Sequence, residues 1–322
     1  MFTNSTTTNL SVANSALRDQ LMKYKKIIFH SGSFHADEIF ATAYLMILYD
    51  FFGLTFPKWE RKNVISPEMA EENGYLVYDI GGGRFDHHFP EEEKERREDG
   101  TPYAAFGLIV KAFHEGFLNE DEYQDFDNSV IKGLDFNDNT GCGNPLALVI
   151  KDMNPTWDSP DSNIDMRVGN AISLAKSILE NRLENIRSDY KAKEIADTAV
   201  DVADNTVYLE RYAPIGRYIA PKDGLAFFGV PSNREYGKYS IIGVKWKGVN
   251  KELFPKQFRG LSSRTPNFAQ INFDTGLSFV HPNGFMATFD NKELAKKFMR
   301  EYKGQFEHPP IPEDDKEKEV QD

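Results

Sequence analysis

The stretch that most limits what this chain can fold into is "IIFHSGSFHADEIFATAYLMI" (27–47). Its first part, within "KKIIFH" (25–30), is β-branched and aromatic and predicts a buried strand. A short polar turn follows, and from Asp37 to Phe52 the chain is apolar almost throughout. A helix that apolar must be covered on most sides. A buried strand feeding a buried helix is the repeating half of a layered α/β fold. "GYLVYDIGGG" (74–83) predicts a second strand ending in glycines, and "TPYAAFGLIVKAFHEGF" (101–117) and "DEYQDFDNSVIKGLDF" (121–136) predict helices. The expected first domain is therefore an α/β fold with a mostly parallel sheet and flanking helices. The charge run "PEEEKERREDG" (90–100) reads as a solvated loop without chemistry of its own.

Past the turn-rich "DMNPTWDSPDSN" (152–163) the pattern changes. Val168, Ile172, Ala175, Leu179, Leu183, Ile186 and Tyr190 form one apolar stripe at helical spacing. They predict a long helix from about 166 to 200, read as connecting two domains, with a homodimer seam as the alternative. "LAFFGV" (225–230), "YSIIGVKW" (239–246) and "LSFVHPNGFMATF" (277–289) predict strands, and "NKELAKKFMREYKG" (291–304) a closing helix with basic residues in its last turns. The expected organisation is a disordered leader over 1–22, a first domain over 23–160, a connecting helix over 161–204, a smaller basic α+β domain over 205–306, and a disordered acidic tail over 307–322.

Charge and composition narrow the function. The net charge of −12 argues against generic binding to duplex nucleic acid or anionic membranes. It is unevenly spread: residues 205–307 hold sixteen Lys or Arg against nine Asp or Glu. A basic second half points to contacts with an anionic ligand there. No stretch reaches the roughly 18 uncharged apolar residues of a membrane span, and the leader lacks the apolar core of a signal peptide. Cys142 is the single cysteine, which excludes internal disulfides and fits a reducing, cytoplasmic setting.

Histidine is scarce, seven in the chain, yet four fall in two short stretches. His30 and His35 flank the first turn beside Asp37 and Glu38; His87 and His88 follow Asp86 in "GGGRFDHHF" (81–89), shortly after Asp79. Both stretches follow a predicted strand, and open α/β sheets bind ligands at the carboxyl ends of their strands. Mixed imidazole and carboxylate donors suit manganese, iron, zinc or cobalt. Seven of these, His30, His35, Asp37, Asp79, Asp86, His87 and His88, exceed the needs of one four-coordinate ion and suit two ions about 3.5–4 Å apart, an arrangement that activates water for phosphoryl transfer. Asp79 is placed to bridge the two. Asp135 and Asp138 in "KGLDFNDNTGCG" (132–143) offer one further ligand, although Asp before a glycine turn is also ordinary helix-ending chemistry.

"HSGSFHADE", then "YDIGGGRFDHH", then "DFNDNTG" resemble the DHH phosphoesterase superfamily, and more narrowly its metal-dependent protein hydrolase branch, the melanocyte-proliferating-gene exonuclease family. His30, Gly32, Phe34, His35, Asp37 and Glu38 fit the first motif of that branch; Asp79, Ile80, Gly81 and Gly82 the second; Asp86, His87 and His88 the third. "AAFGLIV" (104–110), "RVGNA" (167–171) and "SFVHPNGFMAT" (278–288) fit as well, so the resemblance runs from about 25 to 303. It implies a DHH-type catalytic domain carrying two divalent ions, typically Mn²⁺ with Mg²⁺, Zn²⁺ or Co²⁺ as alternatives, and a second domain that closes over substrate. It also implies a phosphodiester hydrolase, with 3′–5′ exonuclease activity on RNA in one branch member. Carried over by motif, His30, His35 and Asp79 hold one ion, and Asp37, Asp79, His87 and Asp138 or Asp135 the other. His88 faces the substrate phosphate, and Asp86 orients a ligand histidine. Asp79, Asp86, His88 and Glu38 make up the expected catalytic group, with Glu38 either a first-turn helix acid or a proton-handling group.

The sequence departs from that pattern at His35, where the superfamily more often has aspartate, and the wider superfamily's C-terminal glycine-rich histidine motif survives only as "VHPNGF". His281 and Asn283 there, with Lys256 and Arg259 in "PKQFRGLS" (255–262), are the expected substrate contacts. The expected activity is a two-metal phosphoesterase acting on short or single-stranded nucleic acid. The alternatives are hydrolysis of a small phosphorylated molecule or cyclic dinucleotide, and a non-enzymatic, metal-stabilised binding module.

Overall fold

A computed structural model of the chain describes residues 5–158 and 163–310. It divides into two compact units, Met1–Arg187 and Ser188–Asp322. The first contains α1 (Ser5–Leu21), β1 (Lys26–His30), α2 (Ala36–Phe51), β2 (Lys58–Lys62), α3 (Pro67–Asn73), β3 (Tyr75–Val77), α4 (Ala105–Phe113), α5 (Glu120–Phe126), a π-helical turn (Asp127–Ile131), α6 (Lys132–Thr140) and α7 (Pro145–Asp152). It also contains most of α8 (Ile164–Thr198), which runs through the division.

The sheet of this unit is parallel, in the order β2-β1-β3. β1 takes the middle because Ile27, Ile28 and Phe29 tolerate no water on either face, and all three are fully buried. Ile28 lies beside Glu60 on one side and Val77 on the other. β2, "KWERK", went unread as a strand because its charges hide the pattern. It is an edge strand with half-exposed side chains, where charge guards against pairing with other chains. α2 buries thirteen of its sixteen residues, as its composition requires. Phe40 meets Phe106 of α4 at 5.7 Å between ring centroids.

Three expectations change here. The leader is not featureless: Ser5–Leu21 is helical, Leu17 and Leu21 are buried, and the Tyr49 hydroxyl donates to the Leu21 carbonyl. Its polar composition concealed the two leucines that anchor it. The helix expected over 121–136 is broken into α5, the π-helical turn and α6. The long stripe is covered by the chain itself, with Val168, Ile172, Ala175, Leu179, Leu183 and Ile186 all buried, so it is not left open as a dimer seam.

The second unit carries a six-stranded mixed sheet, built from β4 (Val202–Ala203), β5 (Thr206–Tyr208), β6 (Phe227–Pro231), β7 (Tyr239–Gly243), β10 (Leu277–Val280) and β11 (Met286–Phe289) in the order β10-β11-β7-β6-β5-β4. A ribbon of β8 (Lys245–Trp246) and β9 (Val249–Asn250) and the helices α9 (Gly216–Ile219), α10 (Phe268–Thr275) and α11 (Lys292–Glu301) complete it. The single strand expected over 277–289 is the β10–β11 hairpin, turning at "HPNG". Phe227, Phe254, Phe289 and Phe298 form one core. α11 closes that core with Ala295, Phe298 and Met299 while Lys292 and Lys296 reach Asp201. No helix among the described residues is long and apolar enough to cross a membrane. The acidic tail beyond 310 lies outside the described residues.

Candidate metal centre

Four segments of the first unit deliver acid and imidazole groups to one place. β1 ends at His30, and the turn after it places His35 at the cap of α2. The Glu38 side chain reaches back to accept from the His35 backbone N–H at 2.7 Å, which fixes the first turn of α2 with Asp37 and Glu38 pointing inward. Asp79 follows β3 with φ of 60°, a left-handed conformation that costs a non-glycine residue of order 1 kcal/mol or more. Such strain persists only where the surroundings impose it, here through the Asp79 N–H bond to the Phe85 carbonyl. Gly81 then turns the chain back: its φ is 90°, and a Cβ there would sit 2.5 Å from the Ile65 carbonyl oxygen. That reversal returns Asp86, His87 and His88 to the rim.

The geometry is close. Asp79 stands between two imidazoles, with Oδ2 3.1 Å from His30 Nε2 and Oδ1 3.1 Å from His87 Nε2. His87 Nε2 also lies 3.2 Å from Asp138 Oδ2 and 3.5 Å from Asp37 Oδ2. His30 Nε2 meets Glu38 Oε1 at 2.9 Å, while its Nδ1 is turned to the Ser31 carbonyl, which leaves Nε2 for the centre. His35 reaches Asp138 at 3.9 Å. The potential ligand atoms of His30, His35 and Glu38 lie within 4.8 Å of one another; so do those of Asp79, His87 and His88, of His35, Asp37 and Asp138, and of Asp37, Glu38 and Asp79.

Burial and like charge strain the protonation states. Asp37, Glu38 and Asp79 are almost wholly buried. Burial pushes Glu38 well above the usual carboxylate range despite His30, and pushes Asp138 up to about 8 with help from the charge of Asp37. Burial also pulls His30 and His87 down, but the carboxylates outweigh it and hold both at about 11. Asp37 is kept low, against its burial, by His87. Four acids share a space that cannot hold four bare charges, so the site calls for protons or for cations.

The residues fit divalent metal. His30 Nε2, both Asp37 carboxylate oxygens, Glu38 Oε2 and Asp79 Oδ2 are buried without a well-formed hydrogen bond. Buried polar atoms are rarely left so, and hard carboxylate with borderline imidazole is the donor set of manganese, iron, zinc or cobalt.

Asp86 binds the exposed histidine of the pair. It accepts from the His88 ring Nδ1 at 2.8 Å, from the His88 N–H at 3.1 Å and from the Gly82 N–H at 2.7 Å. It therefore orients His88, and its own carboxyl falls to about 2 because these donors outweigh burial. The bond from Asp86 raises His88 above the ordinary imidazole range. Of the two aspartates on α6, Asp138 joins the cluster. Asp135, one turn earlier, is fully buried and accepts from Arg97 at 2.8 Å and from the Gly107 N–H at 3.1 Å.

The four C-terminal candidates lie in the second unit. His281 and Asn283 share the β10–β11 turn, where the Asn283 N–H donates to His281 Nδ1. Lys256 and Arg259 both pair with Glu307, at 2.7 and 2.5 Å, and the Arg259 Nε donates to the Phe254 carbonyl. Sequence reading passed over Asn154, whose side chain accepts from the Phe34 N–H at 2.9 Å and donates to the Phe34 carbonyl at 2.8 Å, fastening the first motif across 120 residues. Its only outward sign was an Asn-Pro turn. Arg97 was missed because it sits inside the charge run.

A family profile for MYG1 exonuclease, described as "Uncharacterised protein family (UPF0160)", matches residues 26–302. Similar proteins include the MYG1 protein of Dictyostelium discoideum, 24% identical over 83% of this chain and 92% of its own. The MYG1 protein of Chlamydia trachomatis is 25% identical over 84% and 93%, and the MYG1 exonuclease of Homo sapiens 23% identical over 88% and 87%.

Proposed function

We propose that this chain, which belongs to the MYG1 exonuclease family, is a metal-dependent phosphodiester hydrolase that acts on short or single-stranded nucleic acid. The observation that carries the reading is the set of buried His30, Asp37, Glu38 and Asp79 atoms that crowd one another without a well-formed hydrogen bond, gathered just past the ends of β1 and β3. His30, His35, Asp37, Asp79, His87 and Asp138 would hold two divalent ions from donors that manganese, iron, zinc and cobalt all accept, with Mn²⁺ the ion that the family resemblance implies. Bound there, such ions would lower the pKa of a water and neutralise charge on a phosphoryl group.

The protein's own groups supply the rest. Asp79 holds His30 and His87 at fixed separation through its two oxygens. His88 is mostly exposed, and its bond to Asp86 shifts it toward the charged form, which suits it to bind a substrate phosphate. Glu38, its carboxyl pushed upward by burial, lies 2.9 Å from His30 Nε2 and orients that ring. Lys256 and Arg259 already neutralise Glu307. The second unit thus offers less free positive charge than its composition promises, which favours a short substrate over a long polyanion. The same pairing gives some weight to a small phosphodiester, such as a cyclic dinucleotide, as the second reading.

The test is purified protein with Mn²⁺ against end-labelled single-stranded oligonucleotides, dinucleotides and a cyclic dinucleotide, with and without chelator. Chelator-sensitive release of mononucleotides is expected, with loss of about 100-fold or more in rate for His87→Ala if that ligand is essential. Full activity of His87→Ala, or of the chelated protein, would overturn the proposal.

A further inference from the structure

A cleft of about 620 Å³ opens beside the candidate metal centre, and His35 and Asp138 are part of its wall. Its volume is that of an ordinary small-molecule site. The far wall belongs to α7 and the turn after it. Leu148 presents an exposed apolar side chain. Lys151 and Asp152 line the same cleft, and neither forms an ion pair among the described residues. Asn154 also lines it, with its amide already committed to both backbone groups of Phe34. That clasp makes the wall a built surface and not a loose loop.

These groups define a ligand. An ammonium and an apolar face beside a phosphoryl-handling centre suit a base joined to a sugar phosphate, and a free carboxylate suits ribose hydroxyls. We propose that this cleft is the subsite for one nucleotide unit adjoining the scissile phosphodiester, with Leu148 against the base, Lys151 on a phosphate and Asp152 on the ribose. The proposal rests on the hydrolase reading but is carried by different residues, so the two can fail separately. Leu148 and Lys151 are exposed, and their replacement leaves the core intact.

The experiment is calorimetric titration of the full chain with uridine 5′-monophosphate, ribose 5-phosphate and inorganic phosphate, in the presence and absence of Mn²⁺. It is run on the wild type, Leu148→Asp and Lys151→Glu, with bound manganese counted in each and KM and kcat measured on a uridine dinucleotide. Uridine monophosphate is expected to bind more tightly than ribose 5-phosphate or phosphate. Each variant is expected to weaken it by roughly tenfold, the worth of one charged or well-packed contact. KM should rise with kcat nearly held, and the manganese count should stay the same. Equal binding to all three proteins overturns the subsite while leaving the metal reading in place. Equal affinity for ribose 5-phosphate overturns the nucleoside assignment, and so does absence of nucleotide binding to a manganese-loaded wild type. Nucleotide binding that depends on Leu148 and Lys151 in a protein that takes up no manganese would keep the cleft and sink the metal centre.

Discussion

If the cluster binds metal as proposed, Asp138 is the residue at which proton and cation compete. Its carboxyl is raised to about 8 by burial and by the charge of Asp37. A group raised in the folded state gives stability that is full below its unfolded pKa near 4 and is lost as pH climbs through the folded value. The metal-free protein should therefore lose stability between about pH 4 and pH 8, and His30 and His87, held near 11, extend the same trend upward. Metal ligands must shed their protons, so Mn²⁺ affinity should run the opposite way and rise with pH across this window. Titration at pH 6 and pH 8 in two buffers of different ionisation heat measures both the affinity and the protons released. Affinity that does not change, with no proton release, would show that Asp138 and its neighbours are not ligands. Replacing Asp138 by Asn should weaken one ion and leave the metal-free stability at pH 7 nearly unchanged, because the amide mimics the protonated acid already favoured there.

Among the elements, α6 depends on a loop that composition marked as bare solvent-exposed charge. Arg97 donates to Asp127 at 2.7 and 2.6 Å and to Asp135 at 2.8 Å, and stacks over Tyr103 at 4.0 Å. Lys94 donates to Asn139, and Asn139 donates to the Tyr103 carbonyl. The loop is thus riveted to the π-helical turn and to the helix that carries Asp138. α4 is shaped to admit this: a Cβ on Gly107 would lie 1.9 Å from Asp135 Oδ2. Arg97→Met should cost about 3–5 kcal/mol, since it strands two buried carboxylates, and adding Asp135→Asn should recover part of that. Urea denaturation of the single and double variants measures it; a cost under about 1 kcal/mol would mean the triad holds nothing. None of this was legible beforehand, because an arginine in a run of eleven mostly charged residues looks like its neighbours. What distinguishes it is partners 30 and 38 residues away. β2 escaped notice for a related reason: an edge strand needs no alternation of apolar residues, only a buried neighbour to pair with.

At the scale of the whole molecule, what the sequence revealed follows from how far each signal reaches. β1, α2 and the stripe of α8 carry their burial in their own residues, so the layered α/β unit and the long helix could be read directly. That these acids and imidazoles come together was legible because His30, His35, His87 and His88 are concentrated at two strand ends in a histidine-poor chain. The choice between Asp135 and Asp138 was not, since it turns on Arg97, and neither was the pairing of Lys256 and Arg259 with Glu307. The division of the chain has a thermodynamic consequence. Every residue of the metal cluster lies within Met1–Arg187, whereas Ser188–Asp322 has its own phenylalanine core. Ligand that binds only the folded first unit stabilises that unit by about 2.7 kcal/mol at roughly a hundredfold excess over its dissociation constant. Differential scanning calorimetry should then resolve two transitions, as expected where two-state behaviour fails between units. Mn²⁺ should raise one of them and chelator lower it, while the other stays fixed. His87→Ala should abolish the response without moving the second transition. A single transition that shifts as a whole would mean the two units unfold together, and no shift in either would mean that the cluster of acids and imidazoles does not bind manganese.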